Sequence, residues 1–436
     1  MAGRAPARRR DRLATRVVRV GTELVSYKEP GTAASALADE QLRRAVRATY
    51  TVFAGSGFAF ANWASRIPQV RQNFHLRPSS LGLVLFAIAA GSVVSMPMAG
   101  PVIARISPRL TVAVTSVLLA GGLGAVAGGY LVGLPMLVVG LFVFGFANGA
   151  WDVAMNVHGA AVERQVGRSI MPRFHAGWSM GTVVGALVGA IAVAAHVPVT
   201  AHLAAVAVLV VIVVPRATRH FLAGVGTGAP GAQTGAPNPA GEADRRRVLG
   251  AWLEPRTLAV GAFVLAFAFA EGTANDWTSI AAIDGYHVPA PVGTLVFATF
   301  LAAMTTGRWF CPVLLDRYGR VPVARCLAMT AIVGVMLFVF GPGLPFAFVG
   351  VLLWGAGTSV GFPMGMSAGA DQSELAAGRV SVIATIGYCS FLGGPPLVGF
   401  LGNQFTVLRA LTVVAILLAM AIALAPATRP PVPHQA

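Results

Sequence analysis

The sequence predicts an all-α membrane protein: twelve transmembrane helices in two parallel six-helix repeats, with both termini in the cytoplasm. Three observations support this prediction. Charged residues are scarce, apolar residues gather in twelve blocks, and short motifs of the first half recur after about 210 residues.

The composition excludes an ordinary soluble domain. Of 436 residues, 56% are hydrophobic and 11% are charged, and the mean hydropathy is +0.72. A soluble domain has about 25% charged residues, because water must solvate its surface. The 51 Gly and 28 Pro also fit a membrane protein, since both are tolerated in membrane helices.

The apolar residues fall into twelve blocks, which we number as segments 1 to 12. Each is near the roughly 20 residues with which a helix crosses about 30 Å of hydrocarbon. We expect helices because a chain in a bilayer must pair its own backbone N–H and C=O groups. The segments are 48–66, 80–103, 110–132, 134–157, 174–195, 197–214, 257–279, 290–314, 322–342, 344–367, 379–401 and 405–426.

These segments divide the chain into two halves, at 48–214 and 257–427. Between them, the linker 215–256 contains a Gly-, Pro- and Ala-rich stretch with too little apolar surface to fold. Residues 1–47 are rich in Arg but lack the apolar core of a signal peptide, so we expect a disordered basic cytoplasmic tail. An over-extended start codon is the alternative, and residues 428–436 form a second short tail.

The distribution of positive charge gives the orientation. The formal net charge is +16, but Lys and Arg lie between apolar segments and not on one face, which argues against a nucleic-acid partner. With the N-terminus inside, 27 of the 32 Lys and Arg residues fall on the cytoplasmic side and four fall outside. The positive-inside rule therefore predicts a multi-pass protein of the inner (plasma) membrane with cytoplasmic termini.

Matching motifs relate the two halves. Four matches occur in order: Asn62-Trp63 with Asp276-Trp277, Ala104-Arg105 with Asp316-Arg317, Gly167-Arg168 with Gly378-Arg379, and Gly177-Trp178 with Gly387-Tyr388. Their offsets lie between 210 and 214 residues. Parallel repeats of this kind are typical of secondary transporters, which bind solute between the halves near the membrane midplane.

The loop after segment 8 resembles a signature of the major facilitator superfamily. It reads Asp316-Arg317-Tyr318-Gly319-Arg320, similar to that family's Asp-Arg-x-Gly-Arg motif. The loop after segment 2 retains Arg105 but has Ala104 and Ser107 where the family has Asp and Gly. The resemblance implies that Arg105, Asp316, Arg317 and Arg320 are gating residues, which clasp cytoplasmic helix ends in the outward-open state.

Four further stretches resemble a bacterial branch of the superfamily that includes a rhizopine transporter. They are 63–68 (WASRIP), 148–157 (NGAWDVAMNV), 174–181 (FHAGWSMG) and 271–277 (EGTANDW). More distantly, Asp152-x-Ala-x-Asn156 is similar to the Glu-x-Ala-x-Asn pattern of the fucose–proton symporters, whose Glu serves proton coupling. Those symporters have an essential Asp in helix 1, where this chain has Arg66.

Ionisable groups within the segments are candidates for function, because charge in hydrocarbon costs several kcal/mol. Asn148, Asp152 and Asn156 recur every four residues in segment 4 and share one helix face. We predict that Asp152 takes up and releases a proton and that the two Asn bind solute hydroxyls. The alternative is a structural Asp152 paired with Arg66 or Arg308.

Segment 7 carries Glu271 and Asp276, which lie five residues apart and point to different sides of a helix. Glu271, the deeper of the two, is a candidate for proton coupling or solute contact. The alternative is a buried salt bridge with Arg308 of segment 8, itself a candidate solute contact. Asp276 lies nearer the outer surface, and for it the sequence leaves two roles undecided, solute binding and gating.

Asn62, Trp63 and Trp151 complete the candidate solute contacts. A Trp ring can stack on the apolar face of a sugar, although Trp near helix ends more often anchors at the membrane interface. Because Trp63 and Trp151 adjoin polar residues, we expect both to face the cavity. For Trp178 and Trp277 the two interpretations stay open.

Two other sequence patterns indicate a structural role and not a ligand-binding one. Gly181, Gly185 and Gly189 form GxxxGxxxG, which predicts close helix packing. His158 and His175 flank the loop after segment 4, but they lack clear metal-ligand spacing, so we expect a solvated loop without metal. No cofactor is indicated.

The sequence therefore favours a monomeric secondary transporter for a small polar solute, such as a sugar, polyol or inositol derivative, coupled to protons in the lipid bilayer. Export of small apolar or drug-like compounds by proton antiport is the alternative. An enzyme is not indicated, because no nucleophile–base pair, HExxH or phosphate-binding loop is present. The tail and linker are short for a signalling domain, which disfavours a sensor.

Overall fold

The computed structural model describes residues 15–20, 23–28, 32–167, 170–225, 250–372 and 376–430. Apart from a short hairpin, the elements of these ranges are helices, and ten helical stretches are long and apolar enough to cross a membrane. The predicted segments fold as helices because hydrocarbon leaves the backbone no other partners for its hydrogen bonds.

The first half begins with two antiparallel strands, β1 (Thr15–Val20) and β2 (Glu23–Lys28). Six helices follow: α1 (Thr32–Ala64), α2 (Ile67–Asn73), α3 (Pro78–Val132), α4 (Leu134–Val166), α5 (Met171–Ala194) and α6 (Val199–Thr218). Helix α3 contains segments 2 and 3. It is broken at Ser107, whose backbone is not helical, into a first arm and a second arm.

From Pro255 onward, the described part of the chain contains eight helices and a final 3₁₀ turn, Ala425–Thr428. The helices are α7 (Pro255–Tyr286), α8 (Ala290–Tyr318), α9 (Arg320–Phe340), α10 (Leu344–Thr358), α11 (Gly361–Gly369), α12 (Ala376–Gln404), α13 (Val407–Ala410) and α14 (Thr412–Leu424). Segment 10 thus forms two helices, α10 and α11, with a break at Ser359 and Val360.

The structure differs from the expected disordered tail at 1–47. Residues 15–28 include the hairpin, and α1 begins at Thr32 instead of near residue 48. Ala45 is fully buried and Leu42 packs against the core, so apolar contacts extend the helix beyond the predicted segment. Residues 1–14 of the tail and 226–249 of the linker lie outside the described ranges.

Glycines bring α1 and α5 into close contact. A Cβ at Gly181 would collide with the carbonyl oxygen of Ala54, and a Cβ at Gly189 would collide with the Ser65 side chain. Gly185 likewise lies against Phe58 and Asn62. These contacts confirm the close packing predicted from GxxxGxxxG.

The two halves meet where α3 packs against α12 and where α5 packs against α8. We call the end of the bundle that carries α2 the α2 end. The opposite end, which carries Arg105, Arg109, Arg216 and Arg317, is the arginine-rich end.

Candidate solute site between the halves

Polar residues form a single stripe on α4, as predicted. Asn148, Asp152 and Asn156 are half-buried, whereas Trp151 and Met155 beside them are buried. The Nδ2 of Asn156 donates to the Asp152 carbonyl oxygen (2.8 Å) and to its Oδ1 (3.3 Å). Asn148 Oδ1 accepts from Ser56 Oγ of α1 (3.2 Å). The open face of α4 therefore presents one carboxylate between two amides.

Asp152 has no cationic partner among the described residues. Arg66 donates to His202 and Arg308 pairs with Glu271, so the alternative that Asp152 pairs with either arginine is wrong for this conformation. Asp152 instead lies near Tyr388, which is on α12 in the other half. Asp152 thus lies where the two halves face one another.

The alternative of a salt bridge between Glu271 and Arg308 is confirmed by the geometry. Arg308 Nη2 lies 2.8 Å from both carboxylate oxygens of Glu271, and both side chains are mostly buried. Arg308 Nη1 also donates to Ser179 Oγ of α5, at 3.2 Å. One arginine therefore joins α7 and α8 of the second half to α5 of the first.

The break between α10 and α11 supplies the third residue that Arg308 binds. Arg308 Nε donates to the carbonyl oxygen of Ser359 (3.1 Å), which the break leaves outside the helical ladder. The Ser359 hydroxyl donates to the Ala356 carbonyl oxygen at 2.7 Å. Exposed backbone at membrane depth needs such partners, and transporters use broken helices of this kind at their binding sites.

Three predicted solute contacts are buried in the helix-packing core. Trp63 is 1% exposed, Trp151 and Asn62 are fully buried, and Trp277 is also buried. The expectation that Trp63 and Trp151 face the cavity is wrong here, because both rings fill the spaces between tightly packed helices. Trp178 is half-buried on α5 and stays accessible.

Asn62 belongs instead to a buried hydrogen-bonded chain. Arg66 Nε donates to His202 Nδ1 of α6 (2.8 Å), and His202 Nε2 lies 2.8 Å from Asn62 Oδ1. Asn62 Nδ2 donates to the Phe58 carbonyl oxygen (2.8 Å). Because Nδ1 of His202 accepts from Arg66, the imidazole is neutral and carries its proton on Nε2. This chain fixes α1 to α6.

Asp276 lies on α7 one turn after Gly272, and both residues are half-buried. Asp276 forms no ion pair with another described residue. Three nearby polar atoms on α7 are buried without hydrogen-bond partners within the described ranges: Thr273 Oγ1, Asn275 Oδ1 and Ser279 Oγ. This part of α7 therefore has unused hydrogen-bonding capacity.

The predicted gating residues separate into two groups. Arg105, Asp316 and Arg317 are exposed at the arginine-rich end, where Arg317 lies over the Tyr318 ring, 5.3 Å from its centroid. Arg320 instead binds Asp371, with Nη1 at 2.8 and 2.9 Å from the two carboxylate oxygens. Asp316 therefore forms no ion pair with another described residue in this conformation.

Ion pairs that sequence reasoning missed surround Arg320. Asp371 also accepts from Arg256 Nη2 of α7 (2.9 Å), and Glu254 accepts from Arg379 of α12 at two atoms. Burial raises the pKa of the Glu254 carboxyl, but hydrogen bonds from Arg379 and Thr257 outweigh it and hold the pKa below its ordinary value. The network joins α7, α9 and α12 at the arginine-rich end.

The two halves are tied together at the α2 end. Arg71 Nη1 of α2 lies 2.5 Å from Asp284 Oδ2 of α7. Asn403 Nδ2 donates to Ser79 Oγ (2.7 Å), and a Cβ at Gly82 would collide with the Pro395 backbone. At the arginine-rich end, the ion pairs between described residues stay within one half. The bundle is therefore closed at the α2 end.

The two histidines near the loop after segment 4 have different surroundings. His158 is buried in α4, stacks on Phe221 with ring centroids 3.5 Å apart, and accepts from the Leu222 backbone N–H (3.0 Å). The expectation of a solvated loop is therefore wrong for His158. His175 is exposed on α5, and its ring packs edge-on against Phe53 with the ring centroids 5.3 Å apart. Within the described ranges, no cluster of three potential metal ligands occurs.

A model of one protein family, described as Major Facilitator Superfamily, matches residues 49–393. The chain belongs to this superfamily. It is therefore a membrane transporter and not an enzyme, and it is a multi-pass protein of the inner membrane.

Two sequence relatives agree with this assignment to the superfamily. The uncharacterised transporter y4wD of Sinorhizobium fredii is 31% identical over 376 residues, which cover 85% of this chain and 94% of the relative. The membrane protein MosC of Rhizobium meliloti is 24% identical, with 82% and 83% covered. The resemblance to the branch with the rhizopine transporter is confirmed.

Solved transporters of the superfamily share the fold. The nucleoside transporter NupG has a TM-score of 0.68 at 15% identity, covering 87% of this chain and 98% of NupG. The fucose:proton symporter FucP of E. coli has a TM-score of 0.61 at 14% identity, covering 88% and 98%. At such low identity these likenesses establish the major facilitator fold alone.

Proposed function

We propose that this chain imports a small polar solute, such as a sugar, polyol or inositol derivative, by alternating access and proton symport. The observation that carries the proposal is the site between the halves. There, a carboxylate that pairs with no described cation lies between two amides on α4, and it shares the interface with the Glu271–Arg308 pair.

The proposed topology has twelve membrane crossings with both termini in the cytoplasm. The first half supplies α1, the two arms of α3, α4, α5 and α6. The second supplies α7, α8, α9, α10 with α11, α12, and α13 with α14. The positive-inside rule then assigns the arginine-rich end to the cytoplasm and the α2 end to the outside.

With this orientation, the structure corresponds to an inward-facing state. The ion pair Arg71–Asp284 and the Ser79–Asn403 hydrogen bond close the outside. Asp316 and Arg317 are exposed at the cytoplasmic end, as expected when the halves are apart there. In the outward-open state, Asp316 and Arg317 would bind neighbouring helix ends and hold the cytoplasmic side closed. Asp316→Asn should therefore slow transport more than it weakens solute binding.

Asp152 is the proposed proton carrier. A carboxylate without a cationic partner in a low-dielectric site is costly, and either a proton or a solute with hydrogen-bond donors relieves that cost. Asn156 holds Asp152 in place, and Asn148 presents an amide one turn away. Protonation and solute binding at adjacent positions of one helix face provide a physical basis for coupling.

The Arg308 cluster is the proposed link between solute binding and movement of the halves. Arg308 is anchored in the second half by Glu271 and Ser359, and it reaches the first half only through Ser179 among its described partners. A solute hydroxyl that replaced Ser179 would release this link at no loss of hydrogen bonds. We propose Glu271 and Arg308 as solute contacts, with Asp276 at the outer side of the site.

The solute class follows from the chemistry of these groups. Amides, carboxylates and a guanidinium group all hydrogen-bond to solute hydroxyls. The nucleoside transporter NupG and the fucose symporter FucP, which share the fold of this chain, are named for hydroxyl-bearing solutes. Such a polar site is less suited to binding apolar or drug-like compounds, so we favour import over export. A monomer suffices, because both halves of the site lie in one chain.

Proton flux into proteoliposomes with an internal pH dye tests this proposal. The purified chain is challenged with sugars, inositols, nucleosides and amphipathic cations. Acidification of the lumen by one hydroxyl-rich solute, absent from protein-free liposomes, is the expected result. A response to cations alone would replace import with export, and silence for every compound would contradict proton symport of these solutes.

A further inference from the structure

A groove opens on the membrane-facing side of the first half, where α3 breaks and α6 ends. Its mouth has a cavity of about 450 Å³ and is lined by Ser107, Arg109, Thr218 and Arg219, among others. A second cavity of about 320 Å³ shares Ala113 and Pro215 with the first and extends to Val114 and Val117. The two cavities form one continuous groove, which we call the α3–α6 groove.

The mouth of the α3–α6 groove is positively charged. Arg109 and Arg219 are both exposed, and neither forms an ion pair with another described residue. Arg216 beside them turns back to donate to the Ile212 carbonyl oxygen (2.9 Å). The sequence contains no Asp or Glu between Glu40 and Asp152, nor from 164 to 241, so neither groove wall supplies a counter-charge.

The remainder of the groove is apolar and faces lipid. From Arg109 to Val117 the second arm of α3 rises about 12 Å, at about 1.5 Å per residue. Val114 and Val117 are about half exposed, at 51% and 50%, and Pro215 lies opposite on α6. A ligand that fits this groove is anionic at one end and apolar for at least 12 Å beyond it.

We propose that the α3–α6 groove binds one anionic phospholipid. Its phosphate lies between Arg109 and Arg219, and one acyl chain follows Val114 and Val117. With the proposed orientation the mouth lies in the cytoplasmic leaflet, where anionic lipids and basic pockets between helices meet. A free phosphate would use the arginines and leave the apolar part empty, so a lipid matches the groove better.

The bound lipid has a structural consequence. Its headgroup joins the second arm of α3 to the end of α6, two helices that pack against each other within the first half. The break at Ser107 interrupts α3 beside this headgroup. An anionic lipid should therefore stabilise the first half against separation of these two helices.

Native mass spectrometry of the purified full-length chain tests the proposal. The chain is titrated with dioleoyl phosphatidylglycerol, with dioleoyl phosphatidylcholine and with inorganic phosphate. The double variant Arg109→Gln/Arg219→Gln removes the charged mouth. Arg325→Gln/Arg429→Gln is the matched control, since both arginines are exposed at the same end of the second half. Val117→Phe fills the apolar part while leaving both arginines in place.

We expect one phosphatidylglycerol to bind the wild type and the control alike. The double variant should bind it about thirtyfold more weakly, since each arginine near a membrane surface contributes about a fivefold effect. Val117→Phe should also weaken phosphatidylglycerol binding. A site for a free anion would not respond to this substitution, so the variant distinguishes the two kinds of site. Melting curves in detergent establish that each variant is folded.

Three results would overturn the proposal. Equal losses in the double variant and the control would mean that charge at this end attracts anionic lipid without a site. Equal binding of phosphatidylcholine would remove the role of the two arginines. Displacement of the lipid by millimolar phosphate, with Val117→Phe unaffected, would identify a phosphate site instead. None of these results depends on transport activity or on the solute.

Discussion

Ser107 and Gly319, at equivalent positions in the two motif loops, have nearly the same backbone conformation. Ser107 has φ 80° and ψ 156°, and Gly319 has φ 78° and ψ 168°. Glycine reaches this region freely because it lacks a Cβ, whereas serine is strained there. The two halves thus share one loop geometry, and the first half maintains it with an unfavourable residue.

Ser107→Gly should stabilise the protein by about 1 kcal/mol. Strain in this region costs about 1–3 kcal/mol, and the greater freedom of glycine in the unfolded chain offsets part of the gain. Thermal unfolding of the purified protein in detergent measures the change. Ser80→Gly, at an exposed helical position of α3, is the control and should destabilise slightly. Equal or lower stability of Ser107→Gly would show that Ser107 is unstrained.

Patterns along one helix could be predicted from the sequence. The stripe of Asn148, Asp152 and Asn156 follows from helical spacing, and the contact of Gly181 with α1 follows from small residues every four positions. The pair Glu271–Arg308 was one of two alternatives, because two charges of opposite sign on successive segments favour each other. Local periodicity and charge scarcity therefore fix much of the fold.

Contacts between distant helices could not be predicted in this way. Ser179 and Ser359 contribute one hydroxyl and one carbonyl oxygen to Arg308, from positions 129 and 51 residues away. Nothing in their local sequence distinguishes them from other serines. The burial of Trp63 and Trp151 depends equally on which face of each helix meets its neighbours.

The Glu271–Arg308 pair should behave as a unit. Glu271→Gln and Arg308→Gln should each lower stability by about 3 kcal/mol and impair uptake, because each leaves its partner buried and unpaired. The double variant should recover part of both losses. Thermal unfolding and initial uptake rates of the four proteins complete the cycle. A double variant no better than the worse single variant would argue against functional pairing.

The Arg71–Asp284 pair should bias the protein towards closure at the α2 end. Both side chains are partly exposed, so the pair contributes at most about 1 kcal/mol, or about a fivefold shift in population. Arg71→Asp should open this end, as measured by electron–electron distances between spin labels on α2 and α13. Adding Asp284→Arg should restore closure. Unchanged distances in Arg71→Asp would show that packing alone closes this end.

Glu254 should contribute stability that depends on pH. Its pKa lies below the ordinary value of 4.5, so the folded protein favours the carboxylate and gains stability above that pH. The stability difference between the wild type and Glu254→Gln should be about 1 kcal/mol at pH 7 and should shrink as pH falls below 4.5.

Thermal unfolding between pH 8 and pH 3 measures this dependence. Glu40→Gln is the control, because Glu40 pairs with Arg43 and Arg44 in an exposed position and should have little effect at any pH. A difference for Glu254→Gln that persists unchanged at acidic pH would show that its ion pair with Arg379 does not stabilise the fold.

Uphill solute uptake driven by a pH gradient tests the central claim most directly. The measurement uses proteoliposomes, the solute identified by proton flux, and two variants, Asp152→Asn and Asp276→Asn. Asp152→Asn should lose accumulation while retaining exchange of labelled for unlabelled solute, because the site remains but the proton carrier is gone. Asp276→Asn should still accumulate solute, with weaker binding. Full accumulation by Asp152→Asn would contradict proton coupling through α4.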